Sequence, residues 1–276
     1  MKLPRGFESL PSRHLDAIER YLDQVPRSAS TPEQVGPFTL FVPTGDWSYY
    51  ARPAPGTPAT DADFDAVRAR QRERGLPETF EWIADLNPEL RGVASGAGLV
   101  VEEYPLMVLA QPLDIPPPAG FAVRQLRADD DALAAALAVA QVGFSHAGTG
   151  IGYAGIAERN ALASRLPAGR LDFKRRRLER GITVTVVAED DSGPVAAGSH
   201  QPVEAVSELV GIATLPALRR RGLGAAITSA LVTDARARGV ELVFLSAGSP
   251  EVARIYARVG FVAIGTACAA EPDSGS

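Results

Sequence analysis

Arg219-Arg220-Arg221-Gly222-Leu223-Gly224-Ala225 gathers three arginines and two glycines into seven residues. It lies between an extended run ending at Thr214-Leu215 and an amphipathic run over about 222–238. In the latter, Leu223, Ala226, Ile227, Ala230 and Leu231 fall on one stripe, and Thr228, Ser229, Asp234, Arg236 and Arg238 fall off it. A strand, a glycine turn and a helix start in that order make an anion site, because the first helical N–H groups lack intrahelical acceptors and the dipole is positive there. Gly222 and Gly224 let the main chain approach a phosphate with no Cβ in the way, and Arg219, Arg220 and Arg221 bring charge for further phosphates. A P-loop is excluded, since no Lys follows these glycines. A dinucleotide fingerprint would need glycine at Ile227 and an acidic residue at the end of the next strand, but Glu241 stands near its start.

Outward from this turn the chain reads as short elements. Gly239 is placed to cap the helix, 240–245 is a short buried strand, 250–259 is helical, and Gly260-Phe261 leads into a last strand reaching about residue 267. Upstream, 207–215 is a strand, and 182–188 and 195–203 form a hairpin around Glu189-Asp190-Asp191-Ser192-Gly193-Pro194. Residues 121–126 read as a strand and 129–142 as a helix with acidic residues in its first turn. A glycine-rich loop over 148–155 is followed by helical spacing at 156–166 and around 173–178. The order from 121 onward is β-α-α-β-β-β-α-β-α-β.

With 276 residues, 46% of them hydrophobic, the chain is long enough for two cores. The boundary is expected at the Pro-rich linker 114–120, where consecutive prolines stiffen the chain, giving an N-terminal α+β domain over 1–113, a second domain over 121–270 and a tail over 271–276. The first part reads as a helix at 14–22, a hairpin of strands 38–42 and 47–52 joined by 43–46, a helix at 61–74, a strand at 79–83, a helix at 88–96 and an extended run at 99–109. That order copies the second half of the C-terminal domain, so a worn duplicate and an unrelated α+β domain both stay open. The net charge of -5 gives no general attraction to nucleic acid. One cysteine, Cys268, excludes an internal disulfide, and no apolar run is long enough for a signal peptide or membrane span; a cytoplasmic protein is expected.

Arg219, Gly222 and Gly224 meet the pattern Q/R-x-x-G-x-G/A, and here the chain resembles the GNAT superfamily of N-acetyltransferases. Glu208, eleven residues before Arg219, stands where many members place a general-base glutamate. Ile212, Ala213 and Thr214 match the strand that pairs with pantetheine, and Ala253, Tyr256, Gly260 and Phe261 match the closing signature. The resemblance covers about 121–268 and is strong over 207–262. It implies an α/β (α+β) fold with a mixed, mostly antiparallel sheet flanked by helices, and acetyl-CoA as acyl donor at Ile212, Ala213, Thr214, Arg219, Arg220, Arg221, Gly222, Leu223, Gly224, Ala225 and Ser249. It further implies direct transfer to an amine, with Glu208 as general base, a backbone N–H near 210–212 stabilising the oxyanion, and Tyr256 as the acid at sulfur.

Each role has a plain structural alternative. Glu208 can be a solvated strand residue, Tyr256 a core residue, and Ser249 an ordinary N-cap. His200 and His146 are weak candidates for a substrate base, no ligand spacing suggests a metal, and the Lys174-Arg175-Arg176-Arg177 run reads as a solvated helix face or a contact to an acidic substrate or a nucleotide. The partners implied are a small-molecule or protein amine, with neither nucleic acid nor membrane; the oligomeric state stays open, a homodimer being the commonest case. Two other functions are weighed: a catalytically silent acyl-CoA-binding regulator or sensor, and ligand binding by Trp47, Tyr49, Tyr50, Phe80 and Trp82 of the N-terminal part.

Overall fold

The computed structural model describes residues 10–45, 48–54 and 57–273, so Asp46 and Trp47 of the expected hairpin and residues 274–276 of the expected tail lie outside the described residues. Two compact units are present, Met1–Leu106 with Ala263–Ser276, and Met107–Val262. Eight of the strands are joined in one mixed, mostly antiparallel sheet.

The second unit contains the end of β5 (Leu99–Leu109), β6 (Ala122–Gln125), α4 (Leu133–Phe144), α5 (Ile156–Ala163), α6 (Ala168–Glu179), β7 (Val184–Asp190), β8 (Gly193–Val203), β9 (Val206–Thr214), α7 (Leu223–Ala237), β10 (Leu242–Ser246), α8 (Pro250–Ala257) and the start of β11 (Phe261–Pro272). Three helices, not two, follow β6, since the spacing around 173–178 belongs to a helix of its own. The hydrogen-bonded order runs β10-β9-β8-β7-β6, antiparallel except for the parallel pair β9 and β10. α4 starts four residues later than 129, so its first turn carries no acid. Asp130 instead accepts the Ala132 N–H at 2.9 Å and pairs with Arg124.

Close backbone approach fixes both helices that flank the sheet centre. A Cβ on Gly198 of β8 would lie 2.7 Å from Ile227 and 3.1 Å from Leu231 of α7. A Cβ on Gly143 of α4 would lie 2.8 Å from Ala213 Cβ. Ala213 pairs with Ala197, and successive strand residues point to opposite faces, so α4 and α7 cover opposite sides of the sheet. α7 ends as the sequence predicts: Gly239, at φ +81°, reverses the chain, its N–H donating to Arg236 O at 3.0 Å and the N–H of Val240 donating to Ala235 O at 3.1 Å.

The Pro-rich stretch lies inside this unit. Ser229 of α7 accepts the Ile115 N–H at 3.0 Å and donates to Leu113 O at 3.2 Å, so polar bonds at its start hold the prolines that were expected to free the chain. The unit boundary falls earlier, at Leu106 and Met107 within β5.

The first unit contains α1 (Leu10–Gln24), β1 (Ser30–Val35), β2 (Phe38–Pro43), β3 (Arg52–Pro53), α2 (Asp61–Glu73), β4 (Phe80–Ile83), α3 (Leu90–Gly96), most of β5 and the end of β11. Strand β1 was not expected, because its Pro32, Glu33 and Gln34 hide an edge strand half of whose residues are exposed. It lies along one edge of β2, while the anticipated hairpin partner β3 lies along the other, only two residues long, with Phe38 facing Pro53 and Thr39 facing Arg52. Phe38, Phe64 and Phe80 pack with ring centroids 4.8 to 5.5 Å apart. Phe80 and Trp82 are thus core residues of this unit, whereas Tyr50 is exposed. β11 runs to Pro272, beyond the predicted end near 267, because Ala267 to Ala270 pair with Ile83 to Phe80 of β4. Glu271 and Pro272, assigned to a tail, are its last residues.

Candidate active site

Strand β9 opens away from its neighbour. The parallel register with β10 runs Leu242 with Val206, Val243 with Ser207 and Phe244 with Glu208, and stops there, although β9 continues to Thr214. Past Glu208 the inner edge of β9 therefore presents main-chain groups that β10 does not use. On its other side β9 carries a bulge: Ala197 faces Ala213 and Ser199 faces Val210, leaving Gly211 and Ile212 opposite Gly198 alone. Gly211, at φ +65°, makes this possible. Glu208 is half-buried at the mouth of the cleft, with Val210 two residues on and on the same side. Ile212 and Thr214 are half-buried, and Ala213 is buried against α4.

The turn after β9 is an open donor cluster. Gly222 stands at φ +84° as the residue before α7, with no side-chain cap, and Arg220 is also left-handed at φ +67°. Among the described residues the N–H groups of Arg220 through Ala225 meet no backbone acceptor; the ladder begins with Ala226 N–H on Gly222 O at 3.1 Å. Cβ atoms on Gly222 and Gly224 would meet nothing within 4 Å, so the space over these donors is clear. Leu223 is buried beneath the turn, Ala225 is half-buried, and Arg220 and Arg221 are exposed. These features fit a pyrophosphate.

Arg219 does something the sequence reading missed. Its guanidinium donates to Gly143 O at 2.9 Å, His146 O at 2.8 Å and Gly150 O at 3.3 Å, fastening the end of α4 and the glycine-rich loop to the turn. Gly152 N–H to Pro216 O at 3.0 Å and Ala217 N–H to Ala154 O at 2.9 Å continue the attachment. Of the three arginines, Arg220 and Arg221 are left with their charge in solvent.

Tyr256 projects from α8 against Phe261, ring centroids 6.1 Å apart, and burial pushes its hydroxyl up to about 12, so it keeps its proton at neutral pH. Ser249 is the N-cap of α8, accepting the Val252 N–H at 3.2 Å. Cys268 is buried in the first unit, and burial raises its thiol to about 11, away from thiolate chemistry.

Two buried polar groups complete the surroundings. His200 of β8 joins Ser207 Oγ at 2.9 Å and Asp234 of α7 at 2.8 Å, tying the residue beside Glu208 to the helix that begins at the turn. Burial lowers the His200 pKa against the opposing pull of Asp234. His146 instead bonds Val142 O through Nδ1 at 2.9 Å and is exposed. The Lys174–Arg177 run is a solvated face only in part: Arg176 is exposed and Arg175 pairs with Asp172 in solvent, but Arg177 is buried, with Nε on Thr183, and Lys174 reaches Ser199 Oγ. Glycine inside a predicted strand was the available signal for the bulge; nothing in the sequence marks the other contacts. Among the described residues no cluster of His, Cys, Asp and Glu is placed to hold a metal ion, and no helix is long and apolar enough to cross a membrane.

Residues 181–263, which include β9, the turn, α7 and α8, match the family model of the acetyltransferase (GNAT) domain. No curated protein matches the chain. Among solved structures it is similar to a GCN5-related N-acetyltransferase from Kribbella flavida, at 23% identity and TM-score 0.71, covering 95% of this chain and 96% of that one. A GNAT-family protein from Novosphingobium aromaticivorans aligns at 16% identity and TM-score 0.55, covering 92% and 94%. A tandem GNAT protein from the clavulanic acid biosynthesis pathway aligns at 16% and 0.55, covering 87% and 79%. The cleft and the glycine turn thus lie within the residues, 181–263, that match the acetyltransferase (GNAT) domain, and the chain shares the fold of these solved structures.

Proposed function

We propose that the second unit transfers the acetyl group of acetyl-CoA to a primary amine. The observation that carries this reading is the end of β9–β10 pairing at Glu208, followed along the same strand by the open N–H cluster at 220–225. The cluster binds the pyrophosphate, and the free edge of β9 at Ile212 to Thr214 pairs with the amide-bearing pantetheine arm as a strand would. Bound acetyl-CoA supplies the activated acyl group. Glu208 takes the ammonium proton, directly or through water, a backbone N–H at the 210–212 bulge holds the acyl oxygen as charge develops, and Tyr256 gives its proton to the departing sulfur. Holding amine and acyl group together contributes on the order of 7 to 11 kcal/mol.

The order of β2, β3, α2, β4, α3 and β5 matches that of β8, β9, α7, β10, α8 and β11, with Ala51 beside β3 bridging Phe80 of β4 in parallel as β9 pairs with β10, and together with the likeness to a tandem GNAT protein it supports reading the first unit as a worn copy without the glycine turn. Thiol release from acetyl-CoA across an amine library tests the reaction. Release that depends on the amine and is lost in Glu208→Gln supports it; a folded protein that binds acetyl-CoA and turns over no amine favours the regulatory alternative.

A further inference from the structure

All but two of the 28 basic residues of this chain are arginine, and the exceptions are Lys2 and Lys174. Lys174 lies on α6, half-buried, with Nζ 3.2 Å from Ser199 Oγ; that hydroxyl is in turn 2.8 Å from Thr185 Oγ1. Ser199 and Thr185 are cross-strand partners on β8 and β7, and Ser199 faces Val210 on β9. Gln201, two residues along β8, faces Glu208. Alternation therefore puts Lys174, Ser199, Val210 and Glu208 on the α4 side of the sheet, away from the α7 side occupied by His200 and Ser207. Ser199 and Glu208 are diagonal neighbours, about 7–8 Å apart.

The amine on this face has a hydroxyl partner and no carboxylate among the described residues; the charge acting on it is the like charge of Arg177. An ammonium taken from water without an anion is costly, and it is stabilised when a ligand brings the missing charge. We propose that Lys174 is an anion subsite beside the reaction centre, and that the acceptor is an amine bearing a carboxylate, its ammonium toward Glu208 and its carboxylate toward Lys174. This rests on the acetyltransferase reading given above. Burial and Arg177 lower the Lys174 pKa to about 7, which is the behaviour of a cation site without its anion.

With two lysines in the chain, protein carrying 13Cε-lysine gives a pair of signals, and Lys174→Arg assigns them. The pH titration of the Lys174 signal is followed alone and with common L-amino acids and their carboxamides, and kinetics are measured for the same pairs. Expected are an amino acid that moves the Lys174 midpoint upward by about one pH unit or more while its carboxamide does not, and a Lys174→Met variant whose KM for that acid rises on the order of tenfold with KM for the carboxamide unchanged. If no acid in the panel moves the signal, or acid and carboxamide behave alike, the subsite is overturned. Calorimetric binding of acetyl-CoA is read separately. Loss of that binding with a responsive Lys174 removes the transferase reading and leaves the anion site standing; binding with a silent Lys174 does the reverse.

Discussion

Glu208 and Tyr256 divide the proton handling between a strand and a helix, and substitutions separate their shares. Glu208→Gln is expected to lower kcat by roughly 10²- to 10³-fold with the Kd for acetyl-CoA unchanged; a variant with wild-type kcat in a steady-state assay would return Glu208 to the role of a solvated strand residue. His200 links to pH. Its folded pKa lies below the ordinary value of 6.5 because burial disfavours the cation, so its contribution to stability is fully present above about pH 6.5 and is lost as pH falls through the folded pKa. Asp234 acts in the same direction further down: burial pushes its pKa up, but the bonds from Arg238 and His200 together outweigh burial and hold it below 3.8. Denaturant midpoints between about pH 7.5 and 5 should fall for the wild type and flatten for His200→Gln; equal slopes would separate His200 from the effect. At this scale the sequence exposed the glycines of the turn, because glycine has one conformational reason to recur there. It concealed the duty of Arg219, whose partners are carbonyls that no residue type announces, and the inward course of Lys174.

Between elements, close approach decides what the sheet tolerates. Gly198→Val would place carbons against Ile227, Ile212 and Leu231, where even a Cβ lies within 3.1 Å, and should destabilise the protein by about 1–3 kcal/mol in denaturant unfolding. A neutral result would mean that α7 lies further from β8 than described. Arg219→Ala removes three carbonyl contacts and should increase proteolytic nicking of 144–155, while Arg219→Lys, with a point charge in place of a planar fork, should restore little. Unchanged nicking in both variants would detach the loop from the turn. Most helices and strands of the second unit were legible because period and turn chemistry agree. β1 escaped because an edge strand with proline and charge has no apolar alternation, and α4 shifted because Asp130 spends its carboxylate on Arg124 and the Ala132 N–H.

At the scale of the whole molecule, the first unit is built from both ends of the chain. A fragment beginning at residue 119 keeps the turn but leaves Ala267 to Ala270 without β4, baring Cys268 and Ala270, which are 2% and 1% exposed in the intact chain. That fragment should bind a hydrophobic dye and aggregate more than the full chain; a monodisperse, dye-silent fragment would show that the strand end is dispensable. The two-core organisation was visible in length and composition, but proline content pointed to a boundary at 114–120 that Ser229 instead fastens within the second unit. In the proposed reaction the cleft beyond Glu208 and the donors at 220–225 bind acetyl-CoA. Calorimetric titration of the full chain with acetyl-CoA, beside a folded Gly222→Asp, Gly224→Asp variant, decides this: saturable binding by the wild type and none by the variant is expected, and a folded wild type that takes up no acetyl-CoA would contradict it.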